Sequence, residues 1–222
     1  MSKLEIKRNA VYQALDMFNI EVEQILFEYP DGKFDKITTR KLVNEAMSMN
    51  ISKTHEDRLN ELCSSQFSKE SRTPVEYALN LIYGWLIEDC IYLWLVQHGY
   101  NVEKTGADKD REFLSGRKIS AGEDLSIEEK PTDIFCDMDG YWSKNNTMDI
   151  RMSKYNKLKS DGLIIGVSPK NGQVTVIDLK NETDIEIRNN PLWGGREVAT
   201  LNGVSSKLFS VKDLDNMLRK AL

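Results

Sequence analysis

The stretch from Leu79 to Val96 is almost continuously apolar, interrupted by Asn80 and by Glu88 and Asp89 at its centre. A helix that is apolar around its whole circumference must be covered on every side, so this segment demands a surrounding core. It is long enough to cross a bilayer, but each central acid costs roughly 3 kcal/mol or more in hydrocarbon. The spacing therefore predicts a soluble helix buried inside the protein or at a subunit interface. Pro74 opens it and Gly99 closes it, as helices commonly begin and end.

The pattern differs on the two sides of this helix. Before it, Val11, Leu15, Phe18, Val22, Ile25 and Leu26 share one face of a helix expected over 9–29, ended by Pro30-Asp31-Gly32. Shorter helices are expected at 36–49 and 54–67, followed by a polar linker over 68–73. After it, Tyr100 to Thr105 reads as a strand and 105–129 as a polar, loop-rich stretch. Residues 132–138 and 147–152 then alternate as strands, with turn residues between them. A short helix or turn over 155–160 follows. Gly162 to Val167 has the character of a central strand buried on both faces. Asn171-Gly172 signals a hairpin into Val174–Asp178. A second Asn-Gly at 202–203 is expected to join strands at 198–201 and 205–209. Ser210 with Asp213 resembles a capping box opening a last helix over 211–221. The domain expectation is a helical region over 1–73 and an α+β or α/β core over 74–222, with a C-terminal hairpin and helix.

The run Pro131-Thr132-Asp133 to Asp149-Ile150-Arg151-Met152-Ser153-Lys154 carries the chemistry. Side chains alternate faces on an extended chain, so Met148, Ile150 and Met152 turn toward a core while Asp149, Arg151 and Ser153 turn away together. Asp133 and Asp149 on adjoining strands, with a cation in reach, make a pair able to hold a divalent ion. The plain alternative is two solvent-facing strand carboxylates, one of them paired with Arg151.

At these residues the chain resembles the PD-(D/E)xK nuclease superfamily, the fold of most type II restriction endonucleases. Pro131-Thr132-Asp133 stands where that family has Pro-Asp, and Asp149-Ile150-Arg151 where it has acid-x-Lys, with arginine replacing the lysine. The likeness covers about residues 75–180. It implies a restriction-endonuclease-like mixed β-sheet flanked by helices, and a Mg²⁺ site, with Mn²⁺ as substitute, held by Asp133 and Asp149. It also implies a helical acid near the metal, a place that Glu88 occupies. Arg151 or Lys154 supplies the cation facing phosphate; arginine clamps a phosphate but is a poor general base.

Asp108, Asp110 and Glu112 form a second acidic cluster, and Asp110 is a candidate third metal ligand; the alternative is a solvated charged loop. Residues 1–139 hold 17 basic against 26 acidic residues, and 140–222 hold 13 against 9. A basic C-terminal part beside acids suits a nuclease, and Arg196, Lys144 and Lys157 are the candidate DNA contacts. Three scattered cysteines and two histidines leave little material for a disulfide framework, a zinc site or a Ser-His-Asp triad. The polar start of the chain points to a cytoplasmic setting. The functional expectation is a metal-dependent endonuclease, dimeric on double-stranded DNA. Its alternative is a catalytically inactive nucleic-acid-binding or protein-interaction module of the same fold.

Overall fold

The structure is a computed structural model that describes residues 2–29, 32–34, 37–63, 72–106, 109–111, 122–191 and 194–222. The chain divides into two compact units, Met1–Trp94 with Ala107–Ser120, and Leu95–Gly106 with Ala121–Leu222.

The first unit is helical. Helix α1 (Lys3–Phe18) starts in a capping box between Ser2 and Glu5 and stops at Asn19, whose φ of 53° is left-handed. One helix expected over 9–29 is thus two, because asparagine tolerates that conformation and lets the chain turn into α2 (Val22–Phe27). Helices α3 (Thr39–Ser48) and α4 (Lys53–Cys63) follow. The apolar helix is α5 (Pro74–Gln97). It is long and apolar enough to span a membrane, and 61% of its most apolar window is buried. Within this unit Tyr83 donates to the Ala46 carbonyl at 2.6 Å. The two acids at the centre of α5 do not stand alone: Arg111 donates to Glu88 at 2.7 Å and to Asp89 at 2.6 and 3.2 Å. Tyr29 donates to Asp89 as well.

The second unit carries the sheets. Its strands are β1 (Val102–Lys104), β2 (Leu125–Ile127), β3 (Lys130–Cys136), β4 (Thr147–Arg151), β5 (Leu163–Ser168), β6 (Gln173–Asp178), β7 (Ile185–Asn190), β8 (Arg196–Asn202) and β9 (Phe209–Ser210). Among the described residues they form a six-stranded mixed sheet in the order β1-β2-β3-β5-β6-β9 and a three-stranded sheet in the order β4-β8-β7. Strand β5 is buried along its whole length, as its continuous apolar run foretells, and it runs parallel to β3. Its Gly166 is a matter of space: a Cβ there would meet Thr175 at 2.6 Å and Trp142 at 3.0 Å. The apolar sides of the two sheets share one core, in which Met148 and Ile150 meet Ile164, Ile177, Ala199 and Leu201.

Four expectations are corrected here. Strands β3 and β4 do not adjoin; they belong to different sheets. The segment between them is not a hairpin turn but helix α6 (Tyr141–Asn145), whose first amides donate to Asp137 at 2.7 and 3.0 Å. Asp137 also accepts from Ser168, so it ties the helix start to β5 while the chain crosses to the second sheet. The stretch over 105–129 contains β2, paired antiparallel with β1 and β3. Asn202-Gly203 leads not into a hairpin but into a 3-10 turn, after which β9 pairs with β6. The partner of β8 is β7, a strand that its weak alternation leaves unannounced. Helices α7 (Met152–Leu158) and α8 (Leu214–Ala221) complete the unit.

Candidate functional site

The site is built around a tight hairpin. Strands β2 and β3 turn at Glu128 and Glu129, both with positive φ (48° and 67°). The turn sets Asp124, just before β2, beside Asp133 in β3, and each carboxylate accepts from a backbone amide of the other segment. The Asp124 amide donates to Asp133 Oδ1 at 3.1 Å, and the Ile134 amide donates to Asp124 Oδ2 at 2.9 Å. Each carboxylate is thereby fixed by the other's strand.

Lys154, in the first turn of α7, reaches this pair. Its Nζ donates to Asp133 Oδ1 at 2.6 Å, to Asp124 Oδ1 at 3.3 Å and to the Gly122 carbonyl at 2.6 Å. Burial, reinforced by the neighbouring Asp124 charge, pushes the Asp133 carboxyl up to about 6 despite Lys154. Burial opposes the lysine's charge too, but the two carboxylates outweigh it and hold the ammonium above its ordinary range. Asp133 Oδ2 is buried with no hydrogen-bond partner. A fully buried carboxylate with one oxygen unmatched is poised to take a proton or a cation.

Beside this cluster lies a cleft of about 450 Å³. Its lining is part polar, from Asp124, Asp149, Arg151, Lys154 and Asn190, and part apolar, from Ile134, Phe135, Cys136, Tyr141 and Trp142. Asp133 is behind the wall rather than in it.

Of the expected ligands, Asp149 has the least to offer a cation. Arg188 donates to both its oxygens at 2.9 and 3.2 Å, Asn190 to Oδ2 at 2.6 Å and Thr200 to Oδ1 at 2.6 Å. Four hydrogen bonds from three donors on β7 and β8 use its lone pairs. Arg151 is exposed and borders both this cleft and a second of about 340 Å³ that Arg196 and Glu197 also line. Lys157 pairs with Glu123 at 2.6 Å, and Lys144 is exposed on α6. Glu88 is bound to Arg111 in the helical unit. Asp110 is exposed in that same unit, and its companions Asp108 and Glu112 lie outside the described residues.

The structure thus joins Lys154 and Asp133, as sequence reasoning expects, and adds Asp124, which that reasoning missed. Asp124 opens a three-residue alternation, Leu125-Ser126-Ile127, the one trace of β2 in the sequence. Among the described residues no cluster of three or more His, Cys, Asp or Glu stands ready for a metal. Two carboxylates suit Mg²⁺ nonetheless, since it keeps several waters and is held by one or two carboxylates plus substrate phosphate. No family model matches the chain, and neither a curated protein nor a solved structure matches it.

Proposed function

We propose that the second unit is a Mg²⁺-dependent phosphodiesterase acting on DNA, of restriction-endonuclease-like kind, with Asp124, Asp133 and Lys154 as its reacting cluster. The observation that carries this reading is Lys154 Nζ within hydrogen-bond reach of both carboxylates, Asp124 and Lys154 lining a cleft and the buried Asp133 behind them. A hairpin of two acids, a lysine and a strand parallel to the second acid's strand agree with the family that the sequence resembles. They do so on different residues: Asp124 replaces Asp149 as the partner of Asp133, and Lys154 replaces Arg151 as the lysine.

Asp124 and Asp133 would hold the ion. When bound, Mg²⁺ neutralises phosphoryl charge and lowers the pKa of a water molecule. Lys154 contributes a compact positive charge where the scissile phosphate meets the carboxylates, and it can release Asp124 without leaving the site. Arg151, always charged and exposed at the cleft edge, clamps the flanking phosphate. The basic C-terminal part of the chain draws in the backbone. A homodimer would present two such clefts to a duplex.

A plasmid-nicking assay in Mg²⁺ or Mn²⁺ against EDTA tests the reading. Metal-dependent nicking by the native chain, lost in Asp124→Asn, is the expected result. A second reading has its own observation. The three N–H bonds of Lys154 are matched by three acceptors, the arrangement of a closed structural ion pair in an inactive binding module. DNA binding without nicking in either metal supports that reading instead.

A further inference from the structure

Phosphate chemistry accounts for only the polar part of the cleft's lining. The rest includes Phe135, half-buried, Tyr141, which is 37% exposed, and Trp142 at 7% exposure. The Trp142 ring has room because Gly166 carries no side chain, a Cβ there coming within 3.0 Å of it. A scissile phosphate and its ion need no apolar wall. Intact duplex brings sugar and phosphate to a protein surface and keeps its base faces stacked inside. An aromatic wall inside a concave site becomes useful when a base is unpaired and can lay its π face on a ring. At about 450 Å³ the cleft falls in the range of sites that hold an organic ligand rather than an ion. The charges agree: Arg151 and Lys154 lie on the same cleft, where the phosphate attached to such a base must pass. Arg151 also borders the second cleft, which Arg196 lines, so a cationic path leads onward from the first.

We propose that this cleft takes one unpaired nucleobase, stacked on Tyr141 next to the reacting phosphate, so that the site prefers single-stranded or locally opened DNA to intact duplex. The choice of a nucleotide as the occupant rests on the phosphodiesterase reading above. The stacking itself is independent of any metal.

The test is binding of the full chain in EDTA, followed by fluorescence anisotropy at one fixed salt concentration. The probes are a labelled single-stranded 12-mer, the same sequence as a matched duplex, and a 12-mer of abasic residues with the same charge. The expected result is about ten-fold tighter binding of the single strand than of either other probe, the scale of one base stacked on one ring. Tyr141→Ala should lose most of that difference and Tyr141→Phe should keep it, because the ring and not the hydroxyl is used. The abasic comparison needs no variant and stands whatever Tyr141→Ala does to folding. Equal binding of the single strand and the abasic strand, a preference for duplex, or no binding of any probe would overturn the proposal. Because no metal is present, a failure of nicking in Mg²⁺ counts against the phosphodiesterase reading and leaves this binding result to stand by itself.

Discussion

Each unit of this protein holds two carboxylates and one cation, and the two clusters behave differently. In the helical unit Arg111, 3% exposed, spreads a rigid fork over Glu88 and Asp89. Tyr29 adds another donor to Asp89. In the sheet unit Lys154 offers one flexible ammonium to Asp124 and Asp133. One Asp133 oxygen stays unmatched, and its carboxyl is pushed up to about 6. The arginine cluster closes on itself; its cation cannot be deprotonated, and its geometry is fixed by several bonds at once. In the proposed mechanism the lysine cluster exchanges a proton, a cation or a phosphate for one of its own bonds. Acids alone do not mark a reactive site. The cation that faces them, and whether a cleft reaches them, decide it.

Breaking each cluster should separate the two. The largest effect on folding is expected for Arg111→Ala, which leaves Glu88 and Asp89 short of their shared cation. A loss of about 3–5 kcal/mol in urea unfolding is expected, as for other broken buried pairs. Lys154→Ala should cost less in stability, because Asp133 already titrates near 6 and can take up a proton. Its effect falls on turnover: metal-dependent nicking should drop by about 10²- to 10³-fold, as when one preorganised donor to developing charge is removed.

Asp149→Asn sharpens the contrast from the other side. Its three donors become poorly matched, so stability should fall by about 1–3 kcal/mol. Nicking by the folded protein should stay close to wild type, because the carboxylate serves Arg188, Asn190 and Thr200.

The smallest effect concerns pH. The folded carboxyl of Asp133 lies above its usual 3.8, so the fold favours its protonated form. That contribution is present below about pH 4 and is lost as pH rises through about 6. The stability difference between Asp133→Asn and wild type should therefore shift in the variant's favour from pH 4 to pH 6, read by thermal melts. Nicking by wild type should rise over the same window as Asp133 ionises.

Much of the fold is legible in the sequence because its signals are local. The buried strand β5, the apolar helix α5 and the alternation of β4 are each written in their own residues. The pairing of strands is not. Asp133 and Asp149 look like neighbours because a short polar segment separates them, yet Asp137 caps a helix there and sends the chain to another sheet. The hairpin that builds the site is harder still to see. Its two turn residues, Glu128 and Glu129, adopt the positive φ that such turns usually assign to Asn-Gly, so the sequence gives no turn signal. Asp124 is missed for that reason, while Asp133 and Lys154 stand out in the sequence. Glu88 is found as an acid on the long helix, but its partner Arg111 lies beyond the helix end and is invisible to any local pattern.

In the proposed mechanism Asp124 and Asp133, rather than Asp149 or the acids of the helical unit, hold the ion. Mn²⁺ titration followed by electron paramagnetic resonance of the free ion tests this assignment. The expected result is an ion bound by the native chain, kept in Asp149→Asn and lost in Asp124→Asn, with all three proteins folded. An ion retained in Asp124→Asn, or lost in Asp149→Asn alone, would contradict it.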